Sequence, residues 1–140
     1  MMKKLFVPVI LSLFVLLVPL VVSACDSDTI KGSLGKEFTL PAGKTAAISG
    51  ENLSIKFDKV TGDSRCPSDV ICVWAGEAKC DIAFIYKGVN YPVTLTAGGS
   101  NPDNYAFENY KVYFNLQPYP ISTQQIAPGD YRLIITVTKK

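Results

Sequence analysis

The chain contains no histidine in its 140 residues. That absence removes the Ser-His-Asp and Cys-His nucleophile systems, the HExxH zinc sites and most other zinc centres. Charge is sparse as well, at 19% of residues. The first 24 residues hold two of the 14 Lys and Arg (Lys3 and Lys4) and no Asp or Glu, so the rest of the chain balances at 12 against 12. A neutral body without basic runs argues against a nucleic-acid partner and against electrostatic adhesion to anionic lipid. No segment shows a ten-residue helical pattern, and no internal repeat or second domain is visible.

Apolar residues, 48% of the whole, are concentrated at the N-terminus. After the basic start Met1–Lys4, residues Leu5–Val22 are apolar except for Ser12, with Pro8 and Pro19 interrupting them. A positive start, an apolar middle and the small residues Ser23-Ala24 read as a secretory signal peptide over residues 1–24. At 1.5 Å per residue the apolar stretch would span about 27 Å, so a retained membrane anchor is the alternative. Val22-Ser23-Ala24-Cys25 resembles the lipobox of bacterial lipoproteins. The resemblance implies that Cys25 carries a diacylglyceryl group and becomes the mature N-terminus. Two acyl chains are the minimum for stable anchoring, since one alone binds marginally. An ordinary signal peptidase site would instead leave Cys25 as a plain thiol. The polar residues that follow make 25–35 a lipid-attached tether, roughly 17–19 Å across if fully flexible.

From residue 36 onward the period of two dominates. Leu53, Ile55 and Phe57 alternate with polar residues, as do Cys80, Ile82, Phe84 and Tyr86, then Tyr91, Val93 and Leu95. Tyr110, Val112, Phe114 and Leu116 share one face, and so do Tyr131, Leu133, Ile135 and Val137. Lys36–Leu40 and Thr45–Ser49 are weaker strands around a turn, and Lys87-Gly88 reads as a tight hairpin. The expected domain, 36–140, is all-β: an antiparallel β-sandwich with immunoglobulin-like topology, or alternatively a small β-barrel. Pro128-Gly129-Asp130-Tyr131 resembles the entry to the closing strand of Ig-like domains, where the tyrosine hydroxyl returns to nearby backbone.

Thr61–Glu77 is a long connection between two good strands, and such loops are usually functional or braced. Cys66 and Cys72 are six positions apart, and an exported chain permits disulfides. Closing that loop would contribute roughly 2–3 kcal/mol on the chain-entropy account. Cys80, on the face of Ile82 and Phe84, is expected as a buried free thiol; Cys72–Cys80 and Cys25–Cys80 are the rival pairings. Asp63 is placed to cap the turn, and Trp74 offers an apolar surface to seat the loop. The run Ser64-Arg65-Cys66-Pro67, with Val70 and then Cys72-Val73-Trp74-Ala75-Gly76-Glu77-Ala78, resembles a signature of a family of bacterial lipoproteins and exported proteins without an assigned activity. The resemblance implies export and a β-rich domain.

Other strings have weaker claims. Ser33-Leu34-Gly35-Lys36 matches SxxK, but that chemistry needs the serine at a helix start in a large α/β domain. Residues 98–104 are rich in oxygen ligands yet lack EF-hand spacing. Asp63, Asp69, Glu77 and Asp81 are the carboxylates a glycosidase-like pair would draw on. Among Tyr105, Tyr110, Tyr113 and Tyr119, Tyr113 faces away from its strand's apolar side and is the best exposed platform. The expected protein is a membrane-anchored lipoprotein of the bacterial cell envelope, held by lipid on the outer face of the cytoplasmic membrane or on the outer membrane. Its domain is a non-catalytic binding or structural module without cofactor or metal, with Arg65, Trp74 and Tyr113 as its binding surface. The alternatives are an Ig-like protease inhibitor acting through loops 61–77 and 98–104, and a small carboxylate-dependent hydrolase.

Overall fold

Alternating patterns become nine strands in the computed structural model, which describes residues 28–98 and 102–140. They are β1 (Thr29–Gly32), β2 (Glu37–Pro41), β3 (Thr45–Ile48), β4 (Leu53–Asp63), β5 (Ala78–Tyr86), β6 (Val89–Ala97), β7 (Asp103–Phe107), β8 (Tyr110–Gln117) and β9 (Arg132–Lys139). The described residues include no α-helix, only a short 3-10 turn at Pro128–Asp130. The apolar stretch 5–22, the lipobox-like residues and Cys25 lie outside the described residues.

One sheet has the order β1-β3-β4-β5-β6 and the other β2-β9-β8-β7. Every pairing is antiparallel except β1 with β3. The two sheets form an open sandwich rather than a closed barrel. Its strand order departs from the immunoglobulin arrangement, where each sheet draws its strands from separated parts of the chain. Here consecutive strands lie side by side, whether joined by tight turns or by the long connections 64–77 and 118–131, so β3 to β6 form one meander and β7 to β9 another. Lys87 and Gly88 supply one such turn, with φ of 50° and 79°, the left-handed pair that a two-residue hairpin favours.

The inward faces pack as the alternation dictates. Leu40, Ile55, Phe57, Phe84, Leu116 and Leu133 are all fully buried. Phe84 of β5 stacks on Phe107 of β7 at 4.4 Å between centroids, and Tyr86 meets Tyr110 edge-on at 6.1 Å, joining the two sheets. Rings in these arrangements contribute about 0.5–1.5 kcal/mol beyond the area they bury.

Two strands fall where turns and loops were expected. Thr29–Gly32, inside the presumed tether, pairs in parallel with β3, so the chain is already folded four residues after Cys25. Ile30 packs against the core, and a Cβ on Gly32 would stand 2.7 Å from the Phe38 ring. Close approach, rather than flexibility, accounts for that glycine. β7 adds an edge to the second sheet through Tyr105 and Phe107. Ser33–Lys36 is a turn closed by the Lys36 N–H on the Ser33 carbonyl at 3.2 Å, not the helix start that SxxK chemistry requires.

Candidate functional site: the stapled loop

β4 runs on past its apolar stretch through two register shifts, between Phe57 and Lys59 and between Val60 and Gly62, before ending at Asp63. The two arms of the following loop stay zipped. The Ser64 N–H donates to the Glu77 carbonyl and the Cys66 N–H to the Ala75 carbonyl, each at 2.8 Å. Gly76 makes the zipper possible. Its φ is +68°, and a Cβ there would stand 1.8 Å from the Ser64 carbonyl oxygen. Only glycine fits. Near the tip the Cys66 and Cys72 sulfurs are 2.07 Å apart with Cα atoms at 5.9 Å, the separation a disulfide normally takes.

An internal ion pair fixes the base. The Arg65 side chain is 1% exposed and that of Asp63 9%. Arg65 Nε and Nη2 donate to the two Asp63 oxygens at 2.8 and 2.6 Å, in the two-pronged geometry that suits a guanidinium. Arg65 Nη1 donates to the Leu116 carbonyl at 2.7 Å, and Nη2 also to the Pro118 carbonyl at 3.0 Å. The Tyr119 ring lies beneath the guanidinium at 4.9 Å. Asp63 Oδ1 accepts the Arg65 backbone N–H at 3.2 Å, the cap expected of this aspartate. Arg65 is therefore an anchor tying the loop to the opposite sheet, and the expected exposed binding residue is instead buried. Its donors face protein acceptors because leaving a guanidinium unpaired indoors is costly.

Tyr131, just before β9, joins the cluster. Its hydroxyl donates to Asp63 Oδ2 at 3.1 Å, so it reaches a carboxylate on β4 rather than the nearby backbone of a tyrosine corner. Burial and the Asp63 charge push the Tyr131 phenol up to about 12. For Asp63, burial raises the pKa, but the hydrogen bonds and charge of Arg65 outweigh it and hold the carboxyl below its ordinary value. Cys80 lies fully buried behind this cluster as a free thiol, and desolvation pushes it up to about 12. A thiol so hard to ionise is a packing group.

Further along, Ser68 donates its N–H to the Pro120 carbonyl at 2.9 Å. Asp69 accepts the Ser122 N–H at 2.7 Å and the Ser122 hydroxyl, which together lower its pKa. These contacts moor the loop to 118–122 and leave its tip outward. Ile71, Val73 and Trp74 are 103%, 92% and 80% exposed, and Val70 is exposed too. Trp74 does not seat the loop; the arginine, the disulfide and Asp69 do that, and the indole faces solvent.

The other sequence-derived residues are dispersed. Tyr113 is half-buried on the outer face of β8 under the Lys111 ammonium, 5.0 Å from its ring. It is remote from the loop in register, pairing with Thr136 and Asn104 mid-strand. Tyr105 stacks on Phe84 and Tyr119 on Arg65, so the four tyrosines do not assemble into one platform. Asp63, Asp69, Glu77 and Asp81 each have their own partner, respectively Arg65, Ser122, Lys79 and Thr94. Asp103 accepts the Gly98 N–H at 2.8 Å, which closes the β6–β7 connection with the carboxylate a cation would have used. No group of three or more potential metal ligands occurs among the described residues. The fully exposed Ile71 and Val73 were not singled out from sequence, since the signature drew attention to its Arg and Trp. No family, no curated protein and no solved structure was found to match the chain.

Proposed function

We propose that the chain is a lipid-anchored, non-catalytic binding module of the bacterial cell envelope, held at Cys25 and presenting the tip of loop 64–77 to what it binds. The observation that carries the reading is the division of labour inside that loop. Its polar and cysteine residues are spent on bracing, while Val70, Ile71, Val73 and Trp74 are held outward and exposed. Rigid apolar projections suit contact, because ordering costs have been met before binding. The lipobox-like residues supply the reason for placing this module on a membrane. Radiolabelled palmitate should enter the wild-type chain and leave Cys25→Ala unlabelled, with the label following the membrane fraction. Equal labelling of the two would overturn the anchor.

One observation favours a second reading, the protease inhibitor, on a sandwich whose strand order is not that of an immunoglobulin domain. The loop 64–77 and the β6–β7 connection leave the same end of the sandwich, since Asp63, Ala78 and Ala97 lie in one row. Connections that leave one end of a sandwich can act together on a cleft. Inhibition of a peptidase panel by the wild type, relieved in Trp74→Ala, would select this reading over the first.

A further inference from the structure

We propose that the tip of the stapled loop inserts into the headgroup–acyl boundary of the same bilayer that holds the lipid anchor. The inference rests on the anchored reading above and adds where the domain sits and through which residues. Residues 70–76 contain no charge, and Ile71, Val73 and Trp74 stand almost wholly exposed. Apolar side chains this exposed suit insertion into a fluid surface. Tryptophan has a specific preference for that boundary, and aliphatic neighbours bury into it.

The strand register brings the anchor to the same side. Thr29 of β1 pairs with Thr45, Thr45 with Lys56, and Lys56 with Ala83. Because β1 is parallel to β3, the chain preceding Thr29 heads toward the end where β4 gives way to the loop. Asp28 pairs with Lys44 at that end. From the Ala83 row to the Ala78 row is five residues of β5, about 17 Å at strand rise. The four residues from Cys25 to Thr29 span at most about 14 Å. Fully extended, those residues would allow a lipid on Cys25 to approach within about 3 Å of the level of the loop base. Sideways, β1 stands two to three strands from the β4–β5 hairpin, about 10–14 Å. One flat membrane surface accommodates both. The neutral charge balance fits the same account, since apolar insertion needs no basic patch.

Trp74 is the only tryptophan in the chain, so its fluorescence reports the loop tip alone. The full-length acylated chain, taken from host membranes, is reconstituted into phosphatidylethanolamine–phosphatidylglycerol vesicles with and without acyl-brominated lipid, and flotation is scored in parallel. The expected result is a floating protein whose emission is blue-shifted, quenched by brominated lipid and shielded from aqueous iodide. Ile71→Asp should still float but lose the bromolipid quenching and regain iodide access. Ile71 is fully exposed, so this variant keeps its fold, checked by an unchanged far-UV spectrum. Flotation with a water-exposed, unquenched indole overturns the insertion and leaves the anchor standing. Shielding from iodide without bromolipid quenching assigns the tip to a protein contact, a second copy included, and overturns it too. A chain that fails to float overturns both readings.

Discussion

Replacing Arg65 by methionine removes the guanidinium while keeping much of its apolar stem. It leaves the Asp63 carboxylate, 9% exposed, with only the Tyr131 hydroxyl as side-chain donor, and strips the Leu116 and Pro118 carbonyls of theirs. Breaking a buried pair from one side costs about 3–5 kcal/mol. Against a total stability of about 5–15 kcal/mol for a domain of this size, that is a large fraction. The urea midpoint should fall by about 2 M at the slopes usual for small domains. Asp63→Leu combined with Arg65→Met should lose less than Arg65→Met alone, because no charge then remains indoors; the cycle should show coupling of about 2 kcal/mol or more.

The acid limb gives an independent check. In the wild type the Asp63 pKa is lowered, so its contribution is present above the unfolded value near about 3.9 and disappears as pH falls through the folded one. Without Arg65, burial is left as the main influence and raises that pKa. The sign then reverses: Arg65→Met gains stability relative to neutral pH as the carboxyl takes up its proton. Urea titrations of the chain from residue 26, followed by circular dichroism between neutral pH and pH about 3, measure both slopes. A loss below about 1 kcal/mol, or parallel pH profiles for wild type and variant, would refute the buried-anchor account.

Gly76→Ala should destabilise the loop severely, since both its φ of +68° and the Ser64 carbonyl oppose a side chain; a lowered thermal midpoint and faster proteolysis within 64–77 are the readouts. Alkylation of the native chain should leave Cys80 unmodified until denaturant is added, whereas labelling of Cys66 or Cys72 without reductant would place the staple elsewhere. Cys80, Tyr110 and Tyr131 are all raised to about 12, so their folded forms hold protons that the unfolded chain releases earlier. Stability should therefore be intact below pH about 9 and fall between there and about 12, with proton release on unfolding measurable by titration. Trp74→Ala, by contrast, should leave the unfolding free energy from urea titration within about 0.5 kcal/mol of wild type.

The sandwich was legible because β8 and β9 write their inward residues at every second position, and Cys80 shares that face with Ile82 and Phe84. β7 was not, because Asp103 and Asn104 carry loop signals and only Tyr105 and Phe107 mark the pleat. β1 was hidden for a related reason: Ile30 is its one large apolar residue, and its pairing is parallel to a strand it reaches only after β2. Sheet order is decided between strands, and the pattern inside a strand does not encode its neighbours. Within the loop, the disulfide and the Asp63 cap are local in sequence and could be inferred there. Arg65 could not, because the carbonyls that bury it lie 51 and 53 residues away. Trp74 inverts the usual rule that a large aromatic finds the interior, and only the exposure of its neighbours Ile71 and Val73 makes that inversion intelligible.

Molecules confined to one surface meet edge to edge far more often than free ones, and an open strand edge is a template for another chain. The sheet edges here are poor templates. β1, β2 and β7 are only four or five residues long. β6, the long one, carries Pro92 opposite Ala83, which leaves a gap in its row of donors. Copies of this domain can therefore meet at high local concentration without annealing into continuous cross-chain sheets, and that resistance is built into the backbone rather than supplied by net charge.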